Sequence, residues 1–151
     1  MGRRESLLRA ESEGWEQLNA ILSRSDPEQL ERPGMNAEGW SVRDLMWHVA
    51  YWCADTARAF GQMRDGTFDA SAEPEGPAEV DPINDAQFQR SRSLSLDAVR
   101  DEWFAARAVM LTRFGELAEP TAEADLWFDE TGPLHYREHL PALRAWLGAE
   151  G

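Results

Sequence analysis

The chain holds three histidines, and two of them, His135 and His139, stand four residues apart in a segment that reads as helical. On an α-helix that spacing stacks two side chains on one face, and two imidazoles stacked in this way can hold one transition metal. The third, His48, falls on a different predicted helix. Three imidazoles drawn from two helices leave coordination positions open, which suits a catalytic metal better than a closed structural one. A divalent ion held by neutral rings keeps its full positive charge and lowers the pKa of a bound water or thiol. A thiolate is a nucleophile at neutral pH without a strong protein base. The chemistry this constellation supports is therefore conjugation of a thiol to an electrophile, or metal-assisted hydrolysis.

Other residues surround this trio in sequence. Asp44 and Asp55 flank His48 on the polar side of its helix and are candidates to orient its ring. Glu138 adjoins the histidine pair and is a candidate fourth ligand or proton acceptor; its simpler reading is a solvated surface carboxylate. Arg43 and Arg137 could bind a substrate carboxylate, with surface ion pairing the plainer role. Tyr136 points about 100° off the histidine face and reads as packing, and Cys53, about 140° from His48, reads as a small buried thiol.

The elements that must carry these residues are all helical. A first helix is expected from about Glu5 to Arg24, where Leu8, Trp15, Leu18 and Leu22 recur at helical spacing. Residues 28–39, with Pro33, Gly34 and Gly39, read as a loop with room for a short helical turn. The second helix has the clearest start: Ser41 as N-cap, Asp44 three residues on, and Trp40 with Leu45 as a hydrophobic staple. Val42, Leu45, Val49, Trp52, Thr56, Phe60 and Met63 continue it to about Arg64. His48 lies at the edge of that stripe, about 40° from Trp52 and about 60° from Leu45.

Thr67 to Pro82 reads as a long mobile connection, and a third helical region is expected after Asp81-Pro82, with a break near Ser93 to Ser95. From Leu96 the set Val99, Trp103, Ala106, Met110, Phe114 and Leu117 keeps helical period until Glu119-Pro120. Thr121 to Gly132 reads as a second acidic connection, with Trp127 and Phe128 able to pack down. Gly132-Pro133 opens the last helix, on which His135, His139, Ala142, Leu143 and Trp146 share a face and Pro141 should introduce a kink. The expected architecture is all-α: one domain over residues 1–151, a four-helix bundle with long connections.

Composition narrows the function. A net charge of −13 argues against nucleic acid and against anionic membrane surfaces as partners. The chain has no lysine, which excludes Schiff-base chemistry and a P-loop. Cys53 is the single cysteine, so no intramolecular disulfide forms. No apolar run resembles a signal peptide or is long enough to span a bilayer, and a cytoplasmic protein is the expectation. The seven tryptophans read as core packing whose ring N–H groups find partners.

The segment Gly39-Trp40-Ser41-Val42-Arg43-Asp44-Leu45-Met46-Trp47-His48-Val49-Ala50 resembles a helix start of the DinB superfamily, and within it of the metal-binding N-terminal domain of mycothiol-dependent maleylpyruvate isomerase. His135-Tyr136-Arg137-Glu138-His139-Leu140-Pro141, followed by Leu143 and Trp146, is similar to that family's terminal ligand helix, proline included. The resemblance covers nearly the whole chain. It implies a DinB-like bundle and a divalent metal, zinc or nickel, on His48, His135 and His139. It also implies a low-molecular-weight thiol, mycothiol or bacillithiol, and a small electrophilic substrate. The characterised isomerases carry a further C-terminal domain that helps form the substrate site, whereas this sequence ends at Gly151. Thiol transfer to another electrophile is therefore expected ahead of maleylpyruvate isomerisation. Relatives are often dimers, so a homodimer is a further expectation. The competing reading is a bundle that binds or sequesters a small molecule or metal without turnover.

Overall fold

The computed structural model describes residues 2–118 and 121–148. Among them are seven α-helices and one 3₁₀ turn, and no strand: α1 (Arg3–Leu22), α2 (Pro27–Glu31), α3 (Val42–Asp65), the 3₁₀ turn (Ala70–Ala72), α4 (Gly76–Ser91), α5 (Leu96–Glu116), α6 (Ala122–Thr131) and α7 (Pro133–Leu147). The all-α class expected from the sequence holds. No helix among the described residues is long and apolar enough to cross a membrane. The chain divides into two compact units, one built from Met1–Val42 and Glu119–Gly151, the other from Arg43–Ala118.

In the first unit, α1 buries Leu7, Glu11, Trp15, Leu18, Ile21 and Leu22. Leu7 takes the place expected for Leu8, which is exposed, because stepping back from Trp15 by four and eight residues reaches positions 11 and 7. The short turn allowed for after α1 is α2, closed by a full capping box. Asp26 Oδ1 accepts from the Gln29 N–H at 2.9 Å, and Gln29 Oε1 accepts from the Asp26 N–H at 2.9 Å. The expected acidic connection at Thr121 to Gly132 is instead α6. Thr121 caps it through a bond from the Ala124 N–H at 3.1 Å, and Glu123 and Asp125 sit in the first turn, where the helix dipole favours acid. Phe128 is fully buried there and Trp127 half-buried. Pro133 occupies the first turn of α7, and the helix continues past Pro141 to Leu147. Helices α1, α6 and α7 pack on one another.

In the second unit, α3 is apolar over most of its circumference, with Leu45, Met46, Val49, Ala50, Cys53, Ala57, Ala59 and Phe60 buried. Phe60 meets Phe114 of α5 at 5.3 Å between ring centroids. The α5 stripe is as expected: Val99, Trp103, Ala106, Met110, Phe114 and Leu117 are all buried. Ser95 caps α5 by accepting from the Ala98 N–H at 3.1 Å, and the break before it falls where the serines were read. Its expected stop at Glu119-Pro120 lies outside the described residues.

Helix α4 corrects the reading of Thr67 to Pro82. It begins at Gly76 rather than after Pro82, with proline in its first turn and Pro82 inside it. Gly76 adopts φ +72°, a conformation glycine takes freely at an element boundary. Pro82 costs the helix one N–H, the bond owed to the Ala78 carbonyl, and Ala78 is exposed to water that can replace it.

Candidate metal centre

His48 sits two turns into α3 and is 7 % exposed. Its neighbours on the helix are fixed by polar bonds to α4. Trp47 Nε1–H donates to Gln87 Oε1 at 2.9 Å and Trp52 Nε1–H to Asn84 Oδ1 at 2.8 Å. One turn before His48, the buried Asp44 accepts from the Ser91 hydroxyl at 2.6 Å. Three residues of α4 thus hold the turns of α3 on either side of His48, and the two indoles find N–H partners as aromatic N–H groups removed from water must.

His135 and His139 lie in the first two turns of α7, both half-buried. Their rings are 4.7 Å apart between centroids and inclined at 66°. Burial holds the His139 imidazole below its ordinary 6.5, with the Glu138 carboxylate pulling weakly in the other direction. His139 is therefore neutral at pH 7, the form that can ligate a metal.

One ring nitrogen from each of His48, His135 and His139 lies within 4.8 Å of the other two, a group that could hold a metal ion. Two nitrogens bound at about 2.0–2.1 Å to one tetrahedral zinc stand about 3.3 Å apart. The donor chemistry fits such an ion: all three are imidazoles, and burial keeps the His139 ring neutral.

The other candidates divide. Asp44 is buried and adjacent in the helix to His48. Asp55 is engaged elsewhere, its Oδ1 accepting from Arg58 Nε–H at 3.0 Å, while Arg58 also reaches Glu73 at 2.7 Å. Glu138 is exposed. Arg43 stands 4.0 Å from Asp44. Arg137 is exposed and borders a shallow cavity of about 130 Å³ between α1 and α7. Cys53 is a buried free thiol.

The family model for the mycothiol maleylpyruvate isomerase N-terminal domain matches residues 12–147. The chain belongs to that family. No curated protein and no solved structure matches it. All three histidines fall inside the span matched to the mycothiol maleylpyruvate isomerase domain, as do both segments whose resemblance pointed to it.

Sequence reasoning missed one residue, Glu11. It is 1 % exposed and its Oε2 accepts from the Tyr136 hydroxyl at 2.8 Å. The signal was available: Glu11 lies in phase with Trp15, Leu18 and Leu22 on the apolar stripe of α1. A carboxylate in that position must find a partner.

Proposed function

We propose that the chain is a divalent-metal-dependent enzyme of the DinB type that transfers a low-molecular-weight thiol, mycothiol or bacillithiol, to a small electrophile. The observation that carries this reading is the gathering of one nitrogen from each of His48, His135 and His139 within 4.8 Å. Zinc or nickel are the metals the donor set suits. Bound there, the ion would supply Lewis acidity, favouring the thiolate form of the cosubstrate at neutral pH.

This chain's residues do the rest. His139 stays unprotonated because it is buried. His135 lies in the first turn of α7, where the helix dipole favours a negative charge such as a thiolate sulfur. Asp44, held by Ser91, is better placed than Asp55 to steady the turn carrying His48. In the reaction the S–H bond of the thiol breaks and its proton passes to solvent; sulfur bonds to the electrophilic carbon, and the electron pair displaced from that carbon departs with a leaving group or, where the carbon is part of a π bond, moves to the neighbouring atom, which takes a proton from solvent. We place the protein in the cytoplasm, with these small molecules rather than nucleic acid or membrane as its partners, and as a homodimer.

Elemental analysis of the purified protein should find close to one divalent ion per chain, and His135→Ala should remove it. Metal content unchanged in that variant refutes the ligand assignment. A conjugation assay with mycothiol and generic electrophiles should show turnover that a chelator abolishes. Stoichiometric capture without turnover would instead assign the chain a sequestering role.

A further inference from the structure

We infer that Glu11 is a positioning residue for the histidine helix: through Tyr136 and Gly132 it fixes the rotation of α7 at which His135 and His139 present their rings together. The inference rests on the metal reading above and adds to it a residue outside the span that the family model matches.

Glu11 touches α7 at two places one turn apart. Its Oε2 accepts the Tyr136 hydroxyl at 2.8 Å, between groups both 1 % exposed. Its methylene stem closes on the first residue before α7: a Cβ built on Gly132 would stand 3.1 Å from Glu11 Cγ. Two fixed points along a helix determine both where it starts and how it is turned. Position 136 is the useful one to hold. It lies about 100° from His135 and about 60° from His139 around the helix, so pinning it turns the ligand face without occupying it.

Helix α1 forms a notch for the tyrosine. Trp15 packs against its ring at 5.8 Å between centroids, inclined at 49°. Gly14 forms the floor, where a Cβ would stand 3.1 Å from Tyr136 Cδ2. Glu11 closes the end of the notch with a carboxylate acceptor, and a bond to a carboxylate is shorter and stronger than one between neutral groups.

The precision required is small in angle. Side-chain tips lie about 5–6 Å from a helix axis, so a turn of 10° moves a ring by about 1 Å. Metal–ligand distances tolerate about 0.2 Å. Apolar packing alone admits such a turn; a short hydrogen bond at the end of a rigid ring does not.

The test is titration of the metal-free full-length protein with cobalt(II), read by its d–d absorption, in wild type, Tyr136→Phe, Glu11→Ala and Glu11→Gln. Tyr136→Phe keeps the ring in its notch and removes only the hydroxyl. It should weaken cobalt binding about 10–100-fold, as loss of an outer hydrogen bond to a metal site does, and change the band positions. Glu11→Ala should match it, and Glu11→Gln, which keeps an acceptor, should recover part of the loss. Leu30→Ala, at a buried residue that belongs to α2 rather than to α1 or α7, serves as a destabilised control and should keep wild-type affinity and bands. Unaltered affinity and bands in Tyr136→Phe overturn the inference, as does an equal loss in Leu30→Ala. If wild type itself gives no cobalt bands, the metal reading fails separately. The ring ¹⁵N signals of the metal-free protein then decide: Tyr136→Phe must displace those of His135 and His139, and unmoved signals overturn the positioning role.

Discussion

The two helices that carry the histidines are held in different ways. Helix α7 is locked through one residue, Glu11, which accepts the buried Tyr136 hydroxyl and closes on Gly132, with Gly14 and Trp15 shaped around the tyrosine ring. Helix α3 is spread across a seam, with Asp44, Trp47 and Trp52 each bonded to a different residue of α4. A single lock concentrates control of geometry in one pair. A seam divides it, so that no one bond decides the outcome.

That contrast gives an order of expected losses. Glu11→Ala should be the costliest, removing a buried charge-assisted bond worth about 1.5–3 kcal/mol, measured by urea denaturation of the metal-free protein. Asp44→Ala should cost less, about 0.5–1.5 kcal/mol, although Asp44 is also buried. The Ser91 hydroxyl has one proton and a second acceptor within reach, the Phe88 carbonyl at 2.9 Å, to which it turns when the carboxylate goes. An Asp44 loss equal to that of Glu11 would erase the distinction between lock and seam.

Glu73→Gln should cost less again, about 0.2–1 kcal/mol, and the difference should shrink in high salt, because its pair with Arg58 is near the surface. The smallest effect expected is a shallow pH dependence in the α7 half. Burial lowers the His139 pKa from 6.5, so the unfolded chain binds the proton first as pH falls. Metal-free stability should therefore decline as pH drops below about 6.5, the group's unperturbed value. Replacing His139 with Gln should flatten that slope, and an unchanged slope would assign it to other groups.

Much of this was legible in the sequence, for reasons visible at particular residues. Ser41 before Val42, the α5 stripe from Val99 to Leu117 and the break at Ser95 follow from local capping and period, which need no tertiary partner. The histidine pair was legible because a four-residue spacing survives any placement of the helix. The first turns of α4 and the whole of α6 are hidden in the sequence because proline, glycine and acidic residues also mark loops. At Gly76, Pro82 and Thr121 the same residues start a helix or are tolerated within one. Glu11 could be picked out as a carboxylate on an apolar stripe, but not given a partner 125 residues away.

That separation has a consequence for how the protein is made. At synthesis rates of about 5–20 residues per second, about 6–25 s pass between the appearance of Glu11 and that of Tyr136. During that interval α1 holds a polar carboxyl side chain in its apolar stripe with its tyrosine partner not yet translated. The nascent chain has reason to leave α1 hydrated and undocked until α7 emerges, and ribosome-bound fragments ending before residue 133 should show α1 open to protease.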